Sequence, residues 1–335
     1  MKRIISLLLA LALSLSLAAC AAPAEKADGG KLQIVTTLFP YYDFARAIAQ
    51  DRADVTLLLS PGREAHSFEP TPLDAVTISE ADVFLYNGGE GEYWVESMLD
   101  AAGEHIAVAS RMMDYVDALN EEYVEGMQGA DGHDHDHEHG SHDDHDHDHE
   151  EDEHDSDEIE YDEHIWTSPK SAVVLCRAVC DAICRADAEN AAFYRANCEN
   201  YCAQLEDLDA RFAALCESAP RRLLIFADRF PMLYFCREYG LDYRAAFHGC
   251  SGDTEPSLAT IKFLIDKVED ENIPVVYTID FGTKKVAAVV SECTGAAIET
   301  LYSMQTVSRA DFDAGETYLT LMERNFEALR KGLNE

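Results

Sequence analysis

Positively charged residues are scarce in this chain, and their scarcity excludes one large class of partners. Lys and Arg together number 26 against 64 Asp and Glu, which gives a formal net charge of −38 at pH 7. Residues 131–163 contain eighteen acidic residues and neither Lys nor Arg, so this stretch carries about half of the excess. A chain without a basic face cannot neutralise phosphates, so nucleic acid is not expected as a partner, whereas cations are.

Apolar residues are missing from GHDHDHEHGSHDDHDHDHEEDEH, residues 132–154, which instead contains nine histidines in twenty-three positions. Neutral imidazole suits Zn, Cu and Ni, so the stretch indicates metal handling. A selective site needs three or four ligands held rigidly at roughly 2.0 to 2.2 Å, and a segment without a core cannot hold them. We therefore expect residues 129–160 to be a disordered loop that collects metal with low specificity, rather than a purely solubilising linker. Its histidines are His133, His135, His137, His139, His142, His145, His147, His149 and His154.

Glycine and proline are both absent from residues 187–218, and this absence favours one uninterrupted helix. At 1.5 Å per residue such a helix would be about 45 Å long. It would join two lobes as a rigid strut. The residues that fall on its apolar face are Phe193, Tyr201, Leu205, Leu208, Phe212 and Leu215.

The N-terminus has the layout of a secretory signal. MKRIISLLLALALSLSLAAC combines two basic residues, a short apolar core and small residues ahead of a cysteine. LAAC at residues 17–20 resembles a bacterial lipobox, which implies cleavage before Cys20, lipidation of Cys20 and residues 20–30 as a tether. The alternative is an ordinary cleaved signal with a chance cysteine. The expected location is extracytoplasmic, with the chain lipid-anchored to the cell membrane.

Nine cysteines follow Cys20, an odd number for a secreted protein. Cys176, Cys180 and Cys184 recur at helical i, i+4, i+8 positions, and Cys198 and Cys202 border another apolar stripe. Three thiolates would make a tight zinc site. Core packing is the favoured interpretation, because free cysteine behaves as a small buried hydrophobe. Free thiols would in turn suggest a reducing or anaerobic habitat.

Short β-rich runs alternate with plausible helices in both halves of the chain, which predicts βα units and mostly parallel sheets. The fold class is therefore α/β, with two lobes joined by one long helix and a cleft between them. The predicted domains are a signal peptide 1–19, the tether, a first lobe 31–186, the helix 187–219 and a second lobe 220–335. The predicted strands are residues 31–38, 55–60, 82–88, 105–110, 221–227, 243–249, 274–280 and 296–301.

Ligands bind at the carboxyl ends of strands in open α/β sheets, so His, Asp and Glu just after the predicted strands are candidate metal ligands. His66 follows the strand VTLLLS, Asp228 follows LLIFA, and Asp280 ends PVVYTID. His164 lies where the acidic loop gives way to a helix that begins near Pro169. Two come from each predicted lobe, so the four could meet in the cleft. Singly, each is a weak signal, because a lone His beside a loop is more often a surface or hydrogen-bonded residue and an Asp at a strand end more often caps a helix.

Two longer motifs resemble a known family. AHSFEPTPLD, residues 65–74, looks like the PHxFEPTPxD signature of the zinc and manganese solute-binding proteins of bacterial ABC importers. DEHIWTSPKSA, residues 162–172, looks like their DPHxWLDPxNA segment, and the resemblance continues to the C-terminus. It implies two α/β lobes joined by a backbone helix, with metal buried between them. An acidic His-rich loop before the second motif is typical of the zinc-specific members.

Transferred onto this chain, the resemblance implies ligands at His66 and His164. The third family ligand is a His or Glu shortly before an aromatic pair and YGL, but FADRFPMLYFCREYGL has one extra residue in that spacing. Asp228 is the nearest ligand type, and His248 and Glu255 remain substitutes. The fourth ligand, usually acidic, falls on Asp280.

Two imidazoles and two carboxylates would compensate the charge of a buried dication. This set is harder than three histidines, which leaves Mn²⁺ conceivable, while the His-rich loop favours Zn²⁺. The expected partners are an ABC permease and its ATPase, and the expected state is a monomer. The alternatives are a manganese receptor, a surface metal buffer or adhesin, and a secreted zinc hydrolase. The hydrolase is disfavoured because neither HExxH nor a nucleophile elbow occurs.

Overall fold

A computed structural model describes most of the chain that follows the predicted tether. The predicted signal peptide, Cys20, His66 and the His-rich loop lie outside the described residues. The described residues are 30–63, 68–103, 106–127, 160–251 and 255–334.

The first lobe is a four-stranded parallel sheet with the order β2-β1-β3-β4. Ile34 at its centre pairs with Val55 on one side and Val83 on the other. Parallel neighbours require crossover connections, and helices cover the sheet in these positions. The elements are β1 Leu32–Thr36, α1 Phe39–Ala49, β2 Ala53–Leu57, α2 Pro72–Ser79, β3 Val83–Tyr86, α3 Trp94–Ala102, β4 Val108–Arg111 and α4 Pro169–Ala186.

The second lobe repeats this arrangement with the order β6-β5-β7-β8, again entirely parallel. Val276 in β7 pairs with both Ile225 and Ile298. The two lobes share one strand order, so the carboxyl ends of the central strands form a crevice in each. The elements are α5 Ala191–Ser218, β5 Leu223–Phe230, α6 Leu233–Tyr239, β6 Asp242–His248, α7 Leu258–Asp270, β7 Val275–Ile279, α8 Lys285–Thr294, β8 Ala297–Leu301, α9 Arg309–Ala314 and α10 Tyr318–Asn334.

The predicted fold class of two α/β lobes with parallel sheets and a long helix is confirmed. The strand bounds differ from the predicted ones by up to three residues, and one of these differences bears on a candidate ligand. Strand β5 does not end at Ala227; it continues to Phe230. Its pairing with β6 shifts between Phe226 and Arg229, which indicates a bulge. Asp228 therefore lies inside an irregular strand end, whereas Asp280 directly follows β7 as expected.

The long helix α5 is continuous over 28 residues, so it is about 42 Å long. A short 3₁₀ turn precedes it, and Tyr194 is buried where Phe193 was expected to be. The helix contacts both lobes: Asn197 Nδ2 donates to the Ile48 carbonyl at 2.9 Å, and Asp209 Oδ1 accepts from Tyr239 at 2.7 Å. Neither α5 nor any other helix in the described part of the chain is long and apolar enough to cross a membrane.

A buried carboxylate joins three helices at the contact between the lobes. Asp43 in α1 accepts a hydrogen bond of 2.6 Å from the Tyr201 hydroxyl of α5 and one of 2.9 Å from the Tyr318 amide of α10. Burial raises the pKa of Asp43, although these two hydrogen bonds act in the opposite direction. The first lobe, the long helix and the C-terminal helix are thus linked through a single side chain.

Candidate metal site

Residues 162–168, which contain the second His motif, form a buried platform between the lobes. Each of these residues is at least nine-tenths buried. The platform ends where Ser168 caps α4 by accepting a hydrogen bond from the Ser171 amide, with Pro169 at the first helical position. The predicted helix start near Pro169 is confirmed, and it fixes where the platform stops.

Hydrogen bonds from both lobes hold this platform. The first lobe contributes an amide side chain, and the second lobe contributes two tyrosines and a backbone carbonyl. Because each lobe contacts the same buried segment, the position of the histidine within it is determined by both. The bonds are Asn87 Nδ2 to the Glu163 carbonyl at 3.0 Å, Tyr234 Oη to the Asp162 carbonyl at 2.9 Å, Trp166 Nε1 to the Ser303 carbonyl at 2.7 Å and Tyr318 Oη to the Trp166 carbonyl at 2.7 Å.

His164 is oriented by the carboxylate two residues before it. Asp162 Oδ1 accepts the His164 backbone amide at 2.7 Å and lies 3.1 Å from His164 Nδ1. A carboxylate on one ring nitrogen is the arrangement that commonly orients a metal-binding histidine, and it leaves Nε2 as the nitrogen that could bind a cation. Burial of the ring disfavours its charged form, but the carboxylates of Asp162, Glu121 and Glu163 outweigh this and raise the pKa of His164.

Asp228 lies against the loop that follows β7. Its Oδ1 accepts from the Arg229 amide at 2.9 Å, and its Oδ2 accepts from the Ile279 amide at 3.4 Å. A Cβ at Gly282 would lie 1.7 Å from Asp228 Oδ2, so this approach requires glycine at that position. The bulged end of β5 thus brings Asp228 to the same sheet edge as Asp280.

Asp280 connects this sheet edge to the histidine platform. Its Oδ1 accepts from the Ser303 amide at 3.2 Å, while the Ser303 carbonyl accepts from Trp166. On the other side, a Cβ at Gly249 would lie 2.8 Å from the Phe230 carbonyl and 3.1 Å from the His164 ring. His164, Asp228 and Asp280 therefore surround the carboxyl ends of β5, β6 and β7.

The three side chains lie around one sheet edge but are not arranged as a closed coordination shell. Within the described ranges, only a cysteine cluster has three potential ligand atoms all within 4.8 Å of one another. Of the two substitutes for Asp228, Glu255 is exposed and lies 3.7 Å from Lys285 Nζ. An exposed side chain in an ion pair does not have the environment of a buried metal ligand. His248 ends β6 with its ring 5.0 Å from that of Tyr123 and Nδ1 3.7 Å from Glu121 Oε2.

Sequence reasoning missed two acidic residues near the histidines. Asp162 could have been recognised from its position two residues before His164. Glu121 gave no local signal, yet it is buried beside His248 and accepts the Cys250 amide at 3.1 Å. Burial acts to raise the pKa of Glu121, but the neighbouring His248 and Cys250 and the nearby His164 imidazole lower it.

Another buried carboxylate, Glu92, lies on the side of the platform that faces the first lobe. It lines a cavity together with Glu163, Phe68 and Trp94 and accepts the Gly88 amide at 2.8 Å. Burial raises the pKa of Glu92 to about 7, against hydrogen bonds that lower it, and burial also raises the pKa of Glu163. Several carboxylates thus make the surroundings of the platform favourable to a cation.

Glu92→Gln should stabilise the protein at slightly alkaline pH and have little effect in acid. A carboxyl with a folded-state pKa of about 7 and an unfolded value of 4.5 binds its proton more tightly when folded. The wild-type protein therefore loses stability as pH rises from the unfolded-state pKa to the folded-state pKa. Near pH 8 the glutamine variant should have a free energy of unfolding about 3 kcal/mol higher than the wild type. Urea unfolding of both proteins across this pH range measures the difference in their free energies of unfolding. An equal gain at all pH values would contradict the assignment.

The chain is similar to a known protein family and to individual members of it. Residues 34–332 match the family model described as ZnuA, zinc-uptake complex component A, periplasmic. The high-affinity zinc uptake system protein ZnuA of Bacillus subtilis is 31% identical over 308 residues, covering 91% of this chain and 88% of that protein. The zinc-binding lipoprotein AdcA of Streptococcus pneumoniae is 30% identical over 334 residues, covering 99% of this chain, which spans only 61% of AdcA.

Solved structures agree with this similarity. The Zn(II)-bound ZnuA-like domain of Streptococcus pneumoniae AdcA superposes with a TM-score of 0.70 at 26% identity, covering 91% of this chain and all of that one. The metal-dependent lipoprotein YcdH of Bacillus subtilis gives 0.72 at 29% identity over 90% of this chain and all of that one. The periplasmic zinc-binding protein TroA of Treponema pallidum, at 20% identity and a TM-score of 0.71, shows the same fold.

Proposed function

Because the chain belongs to the ZnuA family of periplasmic zinc-uptake components, we propose that it is an extracytoplasmic receptor that binds zinc and delivers it to an ABC permease. The observation that carries this proposal is the buried His164 and Asp162 pair on a platform held by both lobes. Such a pair presents one imidazole nitrogen to a cation at the strand ends. The function is binding and release, without a catalytic step.

The proposed ligands are His66, His164, Asp228 and Asp280. Two neutral imidazoles and two carboxylates would neutralise a zinc dication in a buried environment. Three of the four surround the carboxyl ends of β5 to β7. Their potential ligand atoms are farther from one another than the ligands of a single ion would be. Zinc would therefore draw these side chains together as it binds.

The His-rich loop and the N-terminus complete the proposal. The loop histidines would hold additional zinc weakly near the cleft, while Cys20 would carry the lipid that anchors the receptor to the membrane. The permease and its ATPase would be the partners, and the receptor would act as a monomer. Genes for a permease and an ATPase beside this one would support the transport assignment over a metal buffer.

Deleting residues 131–160 should leave tight zinc binding in the cleft unchanged and remove only weaker sites. The loop has no apolar residues with which to preorganise ligands, whereas His164 lies in the buried platform. Calorimetric zinc titration of the full chain and of the deleted chain tests this. Loss of the tightest binding event on deletion would show that the loop is the receptor site.

The same titration identifies the third ligand. In the loop-deleted chain, Asp228→Ala should weaken the cleft site by about tenfold or more, since even an outer partner of a ligand contributes that much. His248→Ala is the matched comparison, because His248 is the other candidate at this sheet edge. An unchanged affinity for Asp228→Ala with a loss for His248→Ala would assign the ligand to β6.

A further inference from the structure

The helices α4 and α5 carry a group of cysteines that the cleft site does not use. Cys176, Cys180 and Cys184 lie on α4, and Cys198 and Cys202 lie on α5. All five are buried in the core, as the sequence predicted, and the cysteines of the described residues are free thiols. The cysteines of each helix lie along one apolar face of that helix. Because the two helices pack together, thiols of α4 face thiols of α5.

Three of these thiols have the spacing of ligands around a single ion. The Sγ atoms of Cys176, Cys198 and Cys202 all lie within 4.8 Å of one another, and those of Cys198 and Cys202 are 3.9 Å apart. Four thiolates around a tetrahedral zinc, each about 2.3 Å from the metal, have Sγ atoms about 3.8 Å from one another. A shift of less than about 1 Å would therefore convert this cluster into a coordination shell.

We propose that α4 and α5 hold a second zinc ion, bound by the thiolates of Cys176, Cys180, Cys198 and Cys202. The thiol of Cys180 lies one helical turn after Cys176 and lines the same cavity as Cys198, so it can supply the fourth ligand. On binding, each of the four thiols releases one proton to the solvent, and nothing is oxidised or reduced. The ion would tie the long helix to the first lobe.

The surroundings suit the charge of such a site. Zinc with four thiolates carries two negative charges, and the guanidinium of Arg177 attracts the thiolate forms of Cys198 and Cys202. Thiolate sulfur selects zinc over the harder divalent ions.

A cavity of ≈160 Å³ provides an entry path to the cluster. Two thiols, two carboxylates and two guanidinium groups line it. The carboxylates would attract a cation, and the guanidinium groups would balance the negative charge of the finished site. The cavity is lined by Arg177, Cys180, Asp181, Arg195, Cys198 and Glu199.

Cobalt substitution of the full-length chain tests the proposal, because a thiolate-to-cobalt charge-transfer band reports thiolate ligands only. The cleft and the loop offer imidazole and carboxylate groups, which do not produce this band. We expect an intense near-ultraviolet band that zinc abolishes on addition. Cys198→Ser should remove most of the band, whereas Cys293→Ser, which alters an exposed cysteine, should leave it unchanged. Absence of the band in the wild-type chain would overturn the proposal.

Thiol protection in the wild-type chain gives a second readout that does not depend on how a variant folds. Alkylation followed by peptide mass spectrometry should show Cys176, Cys180, Cys198 and Cys202 at least about tenfold slower to react with zinc than with a chelator present. Cys216 and Cys236, which are buried elsewhere, should react at the same rate in both conditions. Equal rates for all buried cysteines, or a disulfide among the four, would show that no metal is held there.

Discussion

His164→Ala should weaken zinc binding at the cleft site by at least about a hundredfold, because it removes a proposed ligand whose outer partners alone are worth ten- to hundredfold. The ring lies in a platform held by both lobes, so no neighbouring histidine of the described residues can take its place without rebuilding that platform. Competition with a chelating dye of known zinc affinity is the measurement. Asp54→Ala, which removes an exposed partner of Lys31, is the control and should keep the wild-type affinity.

Asp162→Asn distinguishes an orienting role from simple packing. The amide preserves the shape of the side chain but removes the charge that acts on His164 Nδ1. We expect zinc affinity at neutral pH to fall by about tenfold. Because Asp162 raises the pKa of His164, protons compete with zinc to a higher pH in the wild type than in the variant. A variant with unchanged affinity and an unchanged pH profile would contradict the orienting role.

Asp43→Ala should destabilise the whole chain by on the order of 4 kcal/mol, since it leaves two buried donors without an acceptor and each costs about 1 to 3 kcal/mol. Those donors are the Tyr201 hydroxyl and the Tyr318 amide, which belong to the long helix and the C-terminal helix. Chemical unfolding followed by circular dichroism measures the loss. The joint between the lobes is thereby tested separately from metal binding.

Two variants control this experiment. Asp43→Asn retains an acceptor oxygen and should recover a large part of the lost stability. Asp54→Ala, at an exposed ion pair, should leave the unfolding midpoint almost unchanged. If Asp43→Ala unfolds at the wild-type midpoint, the buried carboxylate contributes nothing to the joint, and packing of α5 alone holds the lobes together.

Local patterns in the sequence determined the elements of this fold. Apolar runs separated by helical segments predicted all eight strands of the two sheets. The absence of Gly and Pro predicted the long helix, and Pro169 marked the start of α4. These features depend on neighbours within a few residues, so periodicity and capping suffice to recognise them.

The tertiary structure decided which of the candidate residues identified from the sequence lie close together. Asp228 reaches the cleft because β5 continues past a bulge, and that continuation depends on pairing with β6 rather than on the residues around Asp228. Glu121 joins the histidines only because its loop folds back beside His248. Likewise, helical spacing identified two cysteine stripes, but the rotation of α4 against α5 selects the thiols of Cys176, Cys198 and Cys202. Such contacts join residues far apart in the chain, and no local pattern encodes the packing that brings them together.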